Sequence, residues 1–352
     1  MHNQRLKLPI PIAEQRWPED VPPYLSISCL TYNHRDFLAR TLDGFLMQET
    51  TFRVEISIHD DASTDGTAEL ARSYQERYPQ LIRLAVQRKN QYSKRGNLAI
   101  VDFITSLKGR YVAACEGDDF WTDRRKLELQ VAYLEAHPEA VLTFHDVERV
   151  NERGEFVSGS KIKDLIGAGQ PRKITTYTEL ARSLIPTLSI VYRNVRFRVG
   201  VRVQWLTILD CYIYAMLLEH GQAHNVGGTM GAHRMHSGGV WTSRNEAQQL
   251  AAIMKTRAAI AREIAPHFCL EACQVLATAA SNFARFEISR RRIGSLPGCI
   301  CRYLGALVIC WRAPKRKVED IVAILVAQLG ILSLPIKIVW ARLKRKPSNI
   351  PK

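Results

Sequence analysis

A cluster of three carboxylates is the feature of this sequence best suited to chemistry. Glu116, Asp118 and Asp119 lie within four residues, directly after the apolar run 111–115 and before a helix-like segment at 122–137. Carboxylates this close at the end of a strand repel one another, and a divalent cation removes the repulsion. Their hard oxygen ligands suit Mg²⁺ or Mn²⁺, and such a cation is well placed to hold a diphosphate. The alternative is a solvated acidic turn that caps the following helix.

Two more polar loops follow strand-like stretches in the first half of the chain. The loops 31–34, 60–67 and 116–119 each come after the period-two alternation or the apolar run that is typical of a strand. Helical patterns separate these strands, which predicts an α/β fold with a mostly parallel sheet covered by helices on both faces. In such folds the ligand crevice lies beyond the carboxyl ends of the strands, so the three loops should meet there. The predicted strands are 24–30, 53–59, 82–86, 111–115, 140–144 and 187–192.

The distribution of charge argues against one class of function. The 352 residues have a formal net charge of +15, but residues 285–352 contain fifteen Lys and Arg against three acids. The nearly neutral remainder argues against nucleic acid bound across the whole surface. The eight cysteines include no CxxC pair, and residues 1–23 show no apolar signal-peptide core, which together favour a cytoplasmic protein. No GxxxxGK[ST] loop occurs, so the sequence does not predict a P-loop NTPase.

Three signatures occur in a fixed order, each at the end of a predicted strand. They are SISCLTYN at 26–33, VEISIHDDASTDGT at 54–67 and EGDDFW at 116–121. Together they resemble the signatures of the family 2 glycosyltransferases, which have the GT-A fold. Ala62 stands where that family usually has a glycine, and the QxxRW segment of its processive synthases is not found.

This resemblance implies a donor site built on the first two loops. Thr31 and Tyr32 are expected to line a nucleotide pocket, with Asn33 beside them. Asp60 or Asp61 is expected to hydrogen-bond the base or the ribose. The donor implied is a nucleotide diphosphate sugar, most often a uridine diphosphate sugar in this family.

The resemblance also assigns roles within the acidic motif. Asp118 is expected to be the main ligand of Mn²⁺ or Mg²⁺, and Asp119 to support the metal or the donor sugar. Glu116 is expected near the ribose or sugar. It replaces the family's first aspartate, and its extra methylene leaves its direct role open.

Two motifs in the second half are interpreted as completing the site. Asp210 begins an apolar helical pattern at 205–219 and resembles the family's acid that activates the acceptor hydroxyl. An aspartate beside apolar residues can have the raised pKa that a general base requires, although an ordinary helix N-cap is the alternative. The segment 232–241 resembles the one that folds back over the diphosphate. There His236 is expected to complete the metal shell or contact phosphate, and Gly238 to let backbone amides approach phosphate oxygens.

The chain is predicted to have three parts. Residues 1–23 form an irregular lead-in, and residues 24–245 form the GT-A domain, with a nucleotide-sugar half (24–150) and an acceptor half (151–245). Residues 246–352 form a helical, basic region that suits an anionic membrane surface, which predicts peripheral attachment at the inner face of the cell membrane. The alternative is a helical appendage packed on the domain or on a second copy of the chain, as in a homo-oligomer.

The sequence as a whole predicts a metal-dependent enzyme that moves a sugar from a nucleotide diphosphate to an acceptor hydroxyl. Inversion of the anomeric centre is implied by the resemblance alone. The expected acceptor is a glycan or a lipid-linked sugar in surface glycan or polysaccharide biosynthesis, with no nucleic acid partner. Two alternatives stay open: a nucleotidyltransferase, which would release pyrophosphate, and a non-catalytic module that binds through the basic C-terminal region.

Overall fold

A computed structural model describes most of the first 264 residues. The described residues are 5–159, 173–182, 185–196, 199–241, 243–264 and part of 271–282. The chain divides into two compact units, one made of Met1–Trp205 with Ile213–Ser243 and the other of Leu206–Tyr212 with Arg244–Lys352. The basic tail 285–352, on which the membrane and self-association predictions rest, lies outside the described residues.

The nucleotide-sugar half is built on four parallel strands. Alternating apolar side chains in these strands are fully buried, Leu25, Ile27 and Ile56 among them, because both faces of the sheet are covered. The strands are β2 (Leu25–Thr31), β4 (Val54–Asp60), β5 (Ile82–Val86) and β6 (Tyr111–Ala114). Their spatial order is β6-β2-β4-β5, so β2 pairs in parallel with both β6 and β4. The lead-in contributes β1 (Ile10–Pro11), which pairs antiparallel with β3 (Glu49–Thr50) in a separate small sheet.

The same sheet continues into the second half with a reversal of strand direction. A short strand, β11 (Val191–Arg193), runs antiparallel to β6 on one side and to β8 (Ala140–Val150) on the other. Beyond it, β8 pairs in parallel with the long strand β12 (Gln222–Arg234). The remaining strands are β7 (Phe120–Trp121) and β10 (Lys173–Ile174), which pair with β12, and β9 (Phe156–Gly159), which pairs with β8.

Several predicted elements have different bounds in the structure, and the strand predicted at 140–144 extends to Val150 as β8. The strand predicted at 187–192 is shorter, because Thr187–Ser189 form a 3₁₀ turn in which the amide and hydroxyl of Ser189 both donate to the carbonyl of Pro186. The helix predicted from residue 122 begins only at Lys126, because Phe120–Trp121 are tied into the sheet as β7.

Helices connect the strands and cover the sheet. The first helix turns Leu38, Leu42 and Phe45 into the core at i, i+4 and i+7. The helices are α1 (Leu38–Leu46), α2 (Thr67–Arg77), α3 (Tyr92–Arg95), α4 (Asn97–Ser106), α5 (Lys126–Ala136), α6 (Tyr177–Arg182), α7 (Leu209–Leu218) and α8 (Glu246–Glu263). Among the described residues, no helix combines the length and the apolar character needed to cross a bilayer.

Candidate active site

Hydrogen bonds join the loops after β2 and β4 at the carboxyl edge of the sheet. The side-chain carbonyl of Asn33 accepts from the Thr64 amide at 2.9 Å, and the Asn33 amide donates to Ser63 Oγ at 2.8 Å. Asn33 adopts a left-handed backbone with φ of 57°, which asparagine tolerates better than most residues. Its observed contacts therefore join the two loops, and contact with a nucleotide stays a prediction.

Thr31 and Tyr32 differ in exposure. Thr31 Oγ1 is buried without a hydrogen-bond partner among the described residues, and it faces Gly117 of the acidic loop. A Cβ at Gly117 would lie 2.8 Å from Thr31 Oγ1 and 3.0 Å from His34 Nδ1, so only glycine fits. Tyr32 keeps 46% of its surface exposed, as an aromatic platform for a ligand would.

Asp60 and Asp61 are both buried at the end of β4, and both carboxylates accept hydrogen bonds from backbone amides. Asp60 accepts from the amide of Ser63 at 3.0 Å, and Asp61 accepts from the amides of Gln91 and Tyr92 at 2.6 and 2.9 Å. Each carboxylate offers about four lone-pair positions, so these bonds leave capacity for a ligand. The structure shows a loop-positioning role for both aspartates, and base or ribose recognition stays a prediction.

The structure brings the three acids of the acidic motif together. One ligand atom from each of Glu116, Asp118 and Asp119 lies within 4.8 Å of the others. Burial and then the charges of Asp118 and Glu116 raise the pKa of the Asp119 carboxyl well above its usual range. Crowded carboxylates with this electrostatic conflict are a fitting set for a hard divalent cation, which would resolve it.

Two histidines approach the middle acid from other segments. His236 Nε2 lies 2.9 Å from Asp118 Oδ2, and His34 Nε2 lies 3.6 Å from the same atom. Burial alone would raise the pKa of Asp118, but the hydrogen bond to His236 and the charges of both histidines outweigh it and lower that pKa. The other oxygen, Asp118 Oδ1, is buried without a hydrogen-bond partner in the described chain. A buried carboxylate oxygen without a partner costs free energy, so a ligand is expected there.

Gly238 lies close to this histidine but is itself exposed. A Cβ placed on it would lie 3.3 Å from His236 Nδ1. The turn is closed by the amide of Gly239, which donates to the carbonyl of His236 at 3.3 Å. Gly238 thus lies beside His236, and its contact with phosphate stays a prediction.

Two residues that hold the acidic loop were not identified from the sequence. Arg234, only 5% exposed, donates through Nε to the carbonyl of Asp118 at 2.9 Å, and its amide donates to Asp119 Oδ1 at 2.7 Å. Thr41 Oγ1 on α1 donates to the carbonyl of Asp119 at 2.6 Å and lies 3.0 Å from that of Gly117. The available signal for Arg234 was a lone arginine two residues before His236, at the end of β12.

Asp210 belongs to the second compact unit. It is the second residue of α7 and is half-buried, and its Oδ1 accepts from the amide of Cys211 at 2.8 Å. Burial raises the pKa of Asp210, and the bonds from backbone amides reduce that effect without reversing it. A carboxyl with a raised pKa suits a general base, although the same position is compatible with stabilising the helix N-terminus.

Comparison with known proteins identifies the part of the chain that carries these loops. Residues 26–195 match the family model for "Glycosyl transferase family 2". These residues form a family 2 glycosyltransferase domain. The match covers the loops after β2, β4 and β6, and residues beyond 195, including Asp210 and His236, lie outside it.

Two curated relatives share more than a third of their aligned residues with this chain. The "Uncharacterized protein Rv1520" of Mycobacterium tuberculosis is 36% identical over 219 residues, which are 62% of this chain and 61% of that protein. The "Putative glycosyltransferase EpsE" of Bacillus subtilis is 36% identical over 115 residues, 33% of this chain and 40% of EpsE. The chain thus spans about three fifths of the length of the first of these relatives.

A solved structure confirms the fold of the family 2 domain. The crystal structure of S. aureus TarS 1–349 in complex with UDP-GlcNAc superimposes with a TM-score of 0.58 at 16% identity, covering 85% of this chain and 83% of that one. The predicted GT-A type of α/β fold is therefore confirmed, with the antiparallel β11 inserted between the two parallel parts of its sheet.

Proposed function

We propose that this protein transfers a sugar from a nucleotide diphosphate donor, most simply a UDP-sugar, to an acceptor hydroxyl with the help of a divalent cation. The observation that carries the proposal is the acidic loop, where three carboxylates meet at the carboxyl edge of the sheet. Beside it, Asp118 has one oxygen against His236 and the other buried without a partner in the described chain. This is the donor set expected of a site that binds a metal and, through it, a diphosphate.

Mn²⁺ or Mg²⁺ would be held by Asp118, with Asp119 and His236 as supporting ligands. Carboxylate oxygens suit either ion, and an imidazole nitrogen favours Mn²⁺ over Mg²⁺. When bound, the ion would neutralise negative charge that develops on the diphosphate as it leaves. The lowered pKa of Asp118 keeps it ionised and ready to bind a cation at neutral pH.

The chain's own residues would bind the donor and move one proton. The exposed ring of Tyr32 and the edge formed by Thr31 and Asp61 offer stacking and polar contacts to the nucleotide. Asp210 is proposed to take the proton from the acceptor hydroxyl as its oxygen attacks the anomeric carbon, for which the burial-raised pKa is favourable. A single displacement of this kind inverts the anomeric centre, as the resemblance to family 2 implies.

The comparisons with known proteins support a nucleotide-sugar donor and glycosyl transfer. TarS was crystallised with UDP-GlcNAc, and EpsE is named a putative glycosyltransferase. We propose a surface glycan or polysaccharide as the product, built at the inner face of the cell membrane.

The decisive experiment measures donor binding and product identity together. Thermal unfolding with UDP, GDP and other nucleoside diphosphates, each with and without Mn²⁺, should show stabilisation that requires both components. A ligand that binds only the folded state adds roughly 2.7 kcal/mol at a hundred times its dissociation constant. Turnover should release the nucleoside diphosphate, whereas release of pyrophosphate would identify a nucleotidyltransferase.

Variants of two aspartates complete this test. Asp118→Ala should remain folded but lose both the metal-dependent stabilisation and nearly all turnover. The matched control is Asp102→Asn, which changes an exposed aspartate of α4 that pairs with Arg95. This variant should behave as the wild type. Wild-type turnover by Asp118→Ala would refute the metal assignment.

A further inference from the structure

An open cleft of about 520 Å³ adjoins the acidic loop in the same compact unit. One wall is the turn between β8 and β9, and the other is the segment that follows β12. Its lining residues are Asn151, Glu152, Arg153, Glu155, Met235, His236 and Ser237. The volume lies within the range of roughly 300–1,000 Å³ that is typical of small-molecule sites.

His236 belongs both to the cleft and to the proposed metal site. Its ring lines the cleft, and its Nε2 lies 2.9 Å from Asp118 Oδ2. Its ring centroid lies 5.1 Å from that of Phe37, and this contact helps to fix its position. In a displacement reaction the attacking oxygen must come within about 3–3.5 Å of the reacting carbon, so the acceptor must bind on a surface next to the donor. The cleft is such a surface.

The two walls of the cleft are held in fixed relation by hydrogen bonds. The guanidinium of Arg234 donates to the carbonyl of Glu152 at 2.7 Å while its Nε donates to the carbonyl of Asp118. Across the cleft, the Ser237 amide donates to Glu152 Oε1 at 3.1 Å. A ligand in the cleft would therefore be positioned by the same side chain that positions the acidic loop.

The chemistry of the lining favours a neutral, hydroxyl-rich ligand. Asn151 Nδ2 donates to Glu155 Oε2 at 2.7 Å and so orients that carboxylate. The carboxylates of Glu152 and Glu155 can each accept further hydrogen bonds from hydroxyl groups. The Arg153 guanidinium is exposed and makes no ion pair with any described residue, so its donors face the cleft and solvent. Two carboxylates against one guanidinium would repel a phosphate or a uronate, whereas a sugar ring matches both the acceptors and the donors.

We propose that this cleft binds the acceptor as a neutral sugar residue, with Arg153 and Glu155 as specificity-determining residues. The inference rests on the proposed glycosyl transfer, because it names the acceptor class of that same site. Met235 would supply an apolar contact for a sugar ring in the cleft. Glu152 is instead a positioning residue, because its carboxylate and carbonyl connect the two walls.

The test uses the full-length protein and compares transfer with donor hydrolysis. Nucleoside diphosphate release is measured with water alone and then with methyl glycosides of neutral hexoses and N-acetylhexosamines, a methyl hexuronide and a hexose phosphate. A neutral glycoside should stimulate release most. For that acceptor, Arg153→Ala and Glu155→Gln should each lower the ratio of stimulated release to hydrolysis about tenfold or more. Each should also raise the acceptor KM, because each variant removes hydrogen bonds between the acceptor and a charged group.

Two matched controls lie outside the cleft. Glu148→Gln changes an exposed carboxylate on β8, and Arg72→Ala changes an exposed arginine on α2. Both should leave the ratio unchanged. Absence of both hydrolysis and transfer with every donor would overturn the proposed function itself. Donor turnover with no stimulation by any neutral glycoside, with a preference for the anionic acceptors, or with unaltered ratios in the two cleft variants would overturn only the acceptor inference.

Discussion

Arg234 Nε donates to the backbone carbonyl of Asp118 at 2.9 Å, joining residues 116 positions apart in the chain. The same guanidinium lies over the rings of Phe37 and Phe120, with its carbon 4.8 and 5.3 Å from their centroids. A buried arginine whose guanidinium donates to backbone carbonyls and lies over aromatic rings is held in one orientation. The acidic loop is thus held from the far end of β12, and its shape does not depend on the acids alone.

Replacing Arg234 should therefore disturb stability and donor binding together. Arg234→Ala removes three hydrogen bonds and leaves partly buried carbonyls without donors, which should lower the free energy of unfolding by about 2–4 kcal/mol. Arg234→Lys keeps the charge but cannot reach Asp118 and Glu152 with one planar fork, so it should also lose Mn²⁺-dependent stabilisation by nucleotide.

Urea denaturation and thermal shift with UDP and Mn²⁺ measure the two effects. Arg72→Ala removes an exposed arginine that pairs with Glu69 and should change the unfolding free energy by less than about 0.5 kcal/mol. Nucleotide binding by Arg234→Lys equal to that of the wild type would show that the fork is not needed to shape the loop.

The raised pKa of Asp119 predicts that the metal-free protein becomes less stable to unfolding as pH rises. The folded pKa of Asp119 is raised, so the folded state binds a proton that the unfolded state has already released above the usual aspartate pKa. The unfolding free energy therefore declines as pH rises from the unfolded pKa toward the folded one. Asp119→Asn keeps the acceptor for the Arg234 amide but removes the charge, so it should be more stable than the wild type at pH 7–8.

This gain should vanish near pH 4, where the wild-type carboxyl is protonated in the folded state. Chemical denaturation in EDTA across pH 4–8 measures the difference between variant and wild type. A difference that does not vary with pH would mean that charge repulsion in the acidic loop is already relieved without a cation. Saturating Mn²⁺ should reverse the order at neutral pH, because only the wild type retains the full ligand set.

The lowered pKa of Lys126 predicts a second pH dependence of the unfolding free energy, which has the opposite sign. Lys126 is fully buried at the start of α5, with Nζ 2.8 Å from Gln130 Oε1 and 4.2 Å from the ring centroid of Trp121, and burial lowers its pKa to about 7. Between pH 7 and about 10, the unfolded state binds more protons than the folded one, so the unfolding free energy rises with pH.

Lys126→Met removes the ionisable group from this position. Its unfolding free energy relative to the wild type should be highest at pH 6 and should fall by a few kcal/mol toward pH 10. Urea denaturation at several pH values measures this trend, and Lys89→Met, which changes an exposed lysine, serves as the flat control. Parallel pH profiles for wild type and Lys126→Met would show that the buried lysine keeps an ordinary pKa.

The features predicted from sequence were those with local causes. Alternation over seven residues gave the strands that end at Thr31 and Asp60, and the topology of parallel sheets then placed their loops at one edge. His236 contacts Asp118 in the structure, and its role at a metal or a diphosphate stays a prediction. The segment that contains His236 was interpreted through the family resemblance, since a lone histidine has no local signature.

The features that were missed depend on contacts between distant residues. Arg234 and Thr41 act on backbone carbonyls of the acidic loop, and the hydrogen bonds of a side chain to a remote backbone leave no pattern in sequence. A strand was predicted at 187–192, but its antiparallel insertion between β6 and β8 as β11 depends on pairing with distant strands and was not expected.

Ala62 offers a test of backbone strain at the predicted donor edge. It adopts a left-handed backbone with φ of 64°, where family 2 usually has the glycine that this conformation favours. Ala62→Gly relieves the clash of the Cβ but adds freedom to the unfolded chain, so the unfolding free energy should rise by up to about 1 kcal/mol. Ala132→Gly, at an exposed position inside α5, should lower it by about 1 kcal/mol. Opposite signs in urea denaturation would locate strain at Ala62, whereas an equal loss of stability in both variants would show that the turn after Asp61 accommodates alanine without cost.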